Sequence, residues 1–175
     1  EIPDLFAQAD VISLHCNLHP GNLGLLNRDA FARMRLKPLL INVARGGLIV
    51  EADLIRALQA FQFATTLAPE DAAYWRALAL FCGQFQINLE DVGIPAAQQA
   101  VILNEGDSAN LDALGWLYFL AARYADSEKE LLNAVQQDSQ NAAAHLHLGM
   151  LYVQTGERER AYDHLSTARN LGDAQ

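Results

Sequence analysis

Arg45 is the residue of this sequence whose type and position most directly suggest chemistry. It follows a short apolar run at residues 39–44 and precedes Gly46 and Gly47, so it stands in a tight turn after a candidate buried strand. A planar guanidinium donates two parallel hydrogen bonds to a carboxylate, which makes this Arg a candidate ligand for an organic acid. The alternative is that Arg45 is an ordinary solvated loop residue.

A second polar turn, which contains Cys16 and Asn17, follows an apolar run that begins at residue 9. Both runs have the composition of buried strands. Between them, residues 27–34 carry apolar side chains three to four apart, the spacing of a short helix. Strand, helix, strand is the order of a right-handed parallel crossover, and ligands bind beyond the carboxyl ends of such strands. The two turns are therefore expected at one edge of a small parallel sheet, with a further helix beginning at Glu51.

A long segment resembles a known enzyme family. It reads ADVISLHCNLHPGNLGLLNRDAFARMRLKPLLINVARGGLIVEADLIRAL. The segment is similar to the D-isomer-specific 2-hydroxyacid dehydrogenases, in the later half of their NAD-binding domain, over about residues 4–58. It looks most like the glycerate dehydrogenase or hydroxypyruvate reductase branch, and LLINVARGGLIVEADL is its most specific stretch. The resemblance implies NAD as cofactor and Arg45 as the residue that orients the substrate. It also implies an NAD site lined by Cys16, Asn17, Val43 and Ala44, although the family usually has Pro at the position of Asn17.

Two parts of that family's machinery are not found in the sequence. The Gly-rich turn that cradles the pyrophosphate normally precedes this segment. The family's later Glu and His, which move the hydroxyl proton, are expected after the helix that begins at Glu51, where the sequence changes to another pattern. His15 and His19 lie at a strand end and in a turn, so they do not replace them. Hydride transfer needs cofactor, Arg and proton donor together, so we expect an inactive segment without bound cofactor.

The rest of the chain repeats with a period of 34 residues. Leu114-Gly115 recurs as Leu148-Gly149, and the words LGWLY and LGMLY share this register. A further copy is stretched by two residues in its turn. The spacing is that of helical repeats, and residues 57–171 resemble the tetratricopeptide-repeat family. We predict helical hairpins near residues 72–104, 109–137 and 142–171, in which small residues let paired helices approach closely.

Stacked hairpins form a solenoid whose first helices line a concave groove. Aromatic and Met side chains there would suit a helix or an extended peptide of a partner protein. The alternative is that some of them only pack against neighbouring helices. The groove lacks the Lys, Asn and Arg set with which some repeats clamp a carboxylate, which favours an apolar or basic partner. The predicted groove residues are Arg76, Leu80, Asp112, Trp116, Phe119, Leu146, Met150 and Val153.

Charge and composition restrict the classes of function. Residues 1–60 contain six acidic and six basic residues, whereas residues 61–175 contain fifteen acidic and six basic ones, which accounts for the formal net charge of −9. The acidic half offers no clustered Lys/Arg patch, which argues against nucleic acid as a partner. No apolar run approaches the roughly 18 residues that a membrane span needs. The two Cys lie in different halves, which favours free thiols in a cytoplasmic protein.

The acidic half shows no metal or catalytic motif. His145 and His147 are close in sequence, but a separation of two on a helix turns their side chains roughly 200° apart, so they cannot share a metal ion on one face. No Gly-rich phosphate loop or nucleophile elbow is found there. We therefore expect no metal site.

The sequence predicts a mixed fold of two modules. A truncated, Rossmann-like parallel α/β fragment occupies residues 1–56, and an all-α tetratricopeptide-repeat solenoid of about three hairpins occupies residues 57–175. The leading hypothesis is a protein–protein interaction module that carries an inactive dehydrogenase segment. The alternative is a fragment of an NAD-dependent D-2-hydroxyacid dehydrogenase, of the glyoxylate or hydroxypyruvate reductase type, with a docking arm; a fusion without function of its own is a third. The unpaired edges of so small a sheet also predict self-association.

Overall fold

The computed structural model describes residues 6–8, 11–14, 24–33, 39–42 and 51–172. The chain divides into two compact units, Glu1–Gln62 and Phe63–Gln175. The division falls inside one helix, slightly later than the boundary at residues 56 and 57 that the sequence pattern predicts. The described residues are mostly helical, and none of their helices is long and apolar enough to cross a membrane.

The N-terminal unit contains two short strands and a helix between them in sequence. Strands β1 (Val11–Leu14) and β2 (Leu39–Asn42) pair in parallel, with Val11 opposite Leu39. Helix α1 (Arg28–Arg33) begins after Asn27, whose Oδ1 accepts hydrogen bonds from the first backbone N–H groups of the helix. This order and the parallel pairing are those predicted from the apolar runs. The larger sheet of a complete Rossmann fold is not seen among the described residues.

Eight helical elements follow. Helix α2 (Glu51–Leu67) spans the division between the units. The first hairpin consists of α3 (Ala72–Phe85), a π-helix (Leu89–Gly93) and α4 (Ile94–Leu103). The second consists of α5 (Ser108–Leu120) and α6 (Tyr124–Gln137), and the third of α7 (Ala142–Thr155) and α8 (Arg158–Gly172). The three predicted hairpins are therefore confirmed. Each hairpin packs on the next, and the first helices α3, α5 and α7 are neighbours.

The repeat extends to the residues that begin each first helix. Asp71, Asp107 and Asn141 are the N-cap residues of α3, α5 and α7, and each side chain accepts a hydrogen bond from a backbone N–H of the first turn. Such caps satisfy donors that have no partner inside the helix and contribute about 1 kcal/mol each. The same local signal thus starts every hairpin.

The helices of the second and third hairpins meet at glycine. A Cβ added to Gly115 would lie 2.6 Å from Cγ of Leu131, and one added to Gly149 would lie 2.5 Å from Cγ of Leu165. Both distances are far below van der Waals contact, so only glycine permits these helices to approach so closely. The prediction that small residues let the paired helices approach closely is confirmed at Gly115 and Gly149.

The first hairpin carries its two extra residues around the turn. Gln86 and Asn88 both have positive φ, and the π-helix follows directly. Gly93, the last residue of the π-helix, is buried so close to α3 that an added Cβ would lie 2.9 Å from Cβ of Cys82. The wider helical turn absorbs the inserted length, and α4 then resumes the register of the repeat.

Candidate functional site

The chain offers two candidate sites, one in each unit. The predicted dehydrogenase site comprises Arg45, Cys16, Asn17, Val43 and Ala44, and all five lie outside the residues that the structure describes. Their roles stay predictions. The second candidate is the surface formed by the first helices of the three hairpins.

We define the first-helix face by the eight residues that the repeat register assigns to it. Two lie on α3, three on α5 and three on α7, and these helices are neighbours in the stack. The residues are Arg76, Leu80, Asp112, Trp116, Phe119, Leu146, Met150 and Val153.

The α7 part of the first-helix face is apolar and exposed. Leu146, Met150 and Val153 are 44%, 38% and 63% exposed, respectively. They are four and three residues apart, so they form one stripe along the helix. Adjacent exposed apolar side chains on one helix face are a feature of surfaces that bind other proteins. This stripe is a candidate binding surface on the first-helix face.

The α5 part of the face consists of stacked rings. The rings of Trp116 and Phe119 lie parallel within 15°, with centroids 5.1 Å apart. The ring of His147, from α7, stacks on Trp116 at a centroid distance of 4.3 Å. Trp116 is therefore partly used in packing between α5 and α7, as the alternative interpretation of the sequence allowed for single groove residues.

His147 also forms a polar pair with Asp112. Oδ1 of Asp112 lies 2.7 Å from Nδ1 of His147. Asp112 is only 7% exposed, so its carboxylate has little contact with water and needs the hydrogen bond to His147 to offset the cost of burial. The repeat register assigns Asp112 to the face but not His147, which the sequence suggests only as a candidate metal ligand. The repeat register could have indicated the pair, because Leu146 is the residue of α7 that is equivalent to Asp112, and His147 is the next residue.

The α3 part of the face is occupied by a polar joint between hairpins. Nη1 of Arg76 donates to Oδ2 of Asp107 at 2.8 Å and to Oδ1 of Asn110 at 2.9 Å. Asn110 is fully buried, and its Nδ2 donates to the backbone O of Ala100 at 3.0 Å. Arg76 thus has structural partners in the next hairpin, which reduces what it can offer to a ligand.

The other two histidines of the helical repeats, His145 and His164, form a separate pair at the last hairpin. Nδ1 of His145 lies 3.0 Å from Nδ1 of His164, on α8. Burial, and next to it the neighbouring imidazole of His145, lowers the pKa of His164. His145 and His147 therefore have different partners, in line with their opposite directions on the helix. No group of three residues that could hold a metal ion occurs in the described ranges.

The chain is similar to known proteins both in sequence and in structure. Residues 1–67 match the family model of the D-isomer specific 2-hydroxyacid dehydrogenase, NAD binding domain, and the match ends with the last residue of α2. A hydroxypyruvate reductase of Blautia hydrogenotrophica is 45% identical over 58 residues, which are 33% of this chain and 18% of that protein. A D-lactate dehydrogenase of Escherichia coli is 46% identical over 59 residues, 34% of this chain and 18% of that protein. The chain thus spans less than a fifth of the length of these relatives.

The described structure resembles MamA, a tetratricopeptide-repeat protein. A MamA crystal structure superimposes with a TM-score of 0.59 at 18% sequence identity, covering 69% of this chain and 70% of that one. MamA from Desulfovibrio magneticus RS-1 gives a TM-score of 0.59 at 20% identity, covering 71% and 70%. At this identity the similarity establishes the helical-repeat fold. Both resemblances seen in the sequence, to the dehydrogenase family and to tetratricopeptide repeats, are confirmed.

Proposed function

We propose that this chain is a protein-interaction module whose first-helix face binds a peptide segment of a partner protein. The observation that carries this proposal is the exposed stripe of Leu146, Met150 and Val153 on α7. Three apolar anchors at helical spacing suit a partner helix or a short extended segment with apolar side chains. The stacked rings of Trp116 and Phe119 continue the apolar surface onto α5.

Two exposed residues allow a test that leaves the core intact. Met150→Glu and Val153→Glu place charge on the stripe. Ile102→Glu places it at an apolar residue of α4 that is 67% exposed and lies outside the first-helix face. The probe is a phage-displayed library of random dodecapeptides panned on the full chain. We expect recovered peptides to lose binding to the two stripe variants and to keep binding to Ile102→Glu.

The same experiment can overturn the proposal. If panning recovers no peptide, or if the recovered peptides bind Met150→Glu and Val153→Glu as well as the unchanged chain, the first-helix face is not a peptide-binding surface. Circular dichroism of each variant shows whether a loss of binding reflects a loss of fold.

A second function is favoured by the family match at residues 1–67. We infer that these residues derive from a Rossmann-like NAD-binding domain, in which Arg45 would orient the substrate carboxylate. The corresponding activity is NADH-dependent reduction of hydroxypyruvate or glyoxylate, and it should disappear in Arg45→Ala. Absence of turnover by the full chain, followed as loss of NADH absorbance, would exclude this function for the chain.

A further inference from the structure

The Asp112–His147 pair has a geometry that favours a hydrogen-bond acceptor at the first-helix face. A carboxylate only accepts hydrogen bonds, so the contact of 2.7 Å places the proton on Nδ1 of His147. In neutral imidazole the other nitrogen, Nε2, then carries a lone pair and accepts a hydrogen bond. Nε2 takes part in none of the hydrogen bonds that the structure describes between residues 51 and 172. The side chain of His147 is 18% exposed, so it is not fully enclosed by the helices around it.

Stacking holds the ring in this orientation. The imidazole lies 4.3 Å from the ring of Trp116 and within 15° of parallel to it. With Asp112 at one nitrogen and Trp116 on one face, the ring has little freedom to turn. A fixed acceptor beside aromatic walls binds a donor more strongly than a mobile one in open water, because the local dielectric is lower and less ordering is needed.

The negative charge around the Asp112–His147 pair determines which kind of hydrogen-bond donor the pair favours. The buried carboxylate of Asp112 makes the pair negative when the imidazole is neutral, and residues 61–175 carry fifteen acidic against six basic residues. Arg76, the one Lys or Arg among the eight residues that define the face, is already bonded to Asp107 and Asn110. A positively charged side chain of a partner therefore meets favourable potential and an unused acceptor, whereas a carboxylate would be repelled.

We propose that the Asp112–His147 pair receives a Lys or Arg side chain of the bound peptide. The cation donates to Nε2 of His147, and Asp112 stabilises its charge through the imidazole. Apolar residues of the same peptide cover the stripe of Leu146, Met150 and Val153. This inference rests on the proposed peptide-binding function and specifies its ligand as a basic, apolar segment.

The alternative role for the pair is to tie α5 to α7. A purely structural tie would affect the stability of the chain but not the kind of residue that a bound peptide carries. The experiment must therefore read out peptide selectivity, and it uses the peptides recovered from the phage-displayed library. Each is synthesised as recovered and with its Lys or Arg replaced by norleucine, and affinities are measured by fluorescence anisotropy against the full chain.

We expect recovered peptides to be enriched in Lys or Arg, and the norleucine replacement to weaken binding about tenfold, as for the loss of a charge-assisted hydrogen bond. Asp112→Asn and His147→Gln should reduce this ratio to near one. Glu105→Gln, which removes an exposed acid outside the face, should preserve it. The replacement is made in the peptide, so the unchanged chain tests the inference even if a variant misfolds.

Two results would overturn the inference while leaving the proposed function intact. Peptides that depend on Met150 but show no enrichment in Lys or Arg would contradict it. So would peptides whose norleucine replacement binds equally well to the unchanged chain. Failure to recover any peptide sensitive to Met150→Glu would instead contradict the proposed function itself.

Discussion

Gly149 is the position at which helix packing makes its sharpest prediction. A Cβ there would lie 2.5 Å from both Cγ and Cδ2 of Leu165 and 3.3 Å from its backbone N. Rotating the end of the Leu side chain cannot relieve the contact with Cγ, so the helices themselves would have to separate. The first hairpin meets the same requirement with Ala79 and Ala97 at the equivalent positions, both fully buried. A methyl group on the first helix is thus accommodated where the facing residue is small.

We expect Gly149→Ala to destabilise the chain even though Ala is the better helix former. Overpacking costs about 1–3 kcal/mol, and the higher helix propensity of Ala offsets about 1 kcal/mol of this. A net loss of about 1 kcal/mol lowers Tm by roughly 4 °C in a unit the size of Phe63–Gln175. In the Leu165→Ala background the obstacle is absent, so the same Gly149→Ala change should raise Tm.

The assay is thermal and urea unfolding followed by far-ultraviolet circular dichroism on the unchanged chain, both single variants and the double variant. Gly106→Ala is the control, because an added Cβ there meets nothing within 4 Å. A change of sign between the two backgrounds measures the coupling between the two positions directly. If Gly149→Ala lowers Tm equally in both backgrounds, the steric explanation is refuted.

The remaining predictions concern other buried groups. Ser127→Ala should raise the free energy of unfolding by about 1 kcal/mol, because Oγ is buried without a partner among the described residues. Ser108→Ala should lower the free energy of unfolding, because the substitution removes the hydrogen bond to the backbone O of Ala134 at 2.9 Å. Urea titrations measure the direction of both changes. Burial raises the pKa of the Cys82 thiol to about 11, above its ordinary 9.0. The unfolded chain therefore loses this proton first, and the free energy of unfolding should fall as pH rises from 9.0 toward 11. Mass spectrometry should find the Cys82 peptide alkylated only in denaturant. Because the pKa of His164 is lowered in the folded chain, the unfolded chain protonates this imidazole first as pH falls, so acid should destabilise the chain. His164→Asn should reduce that pH dependence in urea titrations.

Much of the repeat half could be predicted from local and periodic signals. The hairpin limits near residues 72–104 and 142–171 agree with α3 to α4 and α7 to α8 within one residue at each end. The agreement has a physical basis, since each helix pair needs a small residue where its two helices approach closely, and each first helix needs a capping side chain. These requirements recur with every repeat and are therefore visible in one sequence.

The candidate binding surface was only partly predictable. The repeat register placed Leu146, Met150 and Val153 on the first-helix face, and they are exposed there. The same register placed Arg76 on the face without showing that its guanidinium is bonded to the next hairpin. Which polar groups remain available depends on distances between helices, and a register does not specify those distances.

The sequence by itself determined the two-part character of the chain, the parallel order of the first two strands and the three hairpins. These features depend on apolar spacing, helix caps and close-packed glycines, which act within one element or between elements that are neighbours in sequence. Only the tertiary structure decided that His147 pairs with Asp112, that His145 pairs with His164, and that the first hairpin accommodates its insertion as a π-helix. Those features arise where separate helices meet. Their partners are chosen by how closely and at what rotation the helices pack, which no single segment of the chain encodes.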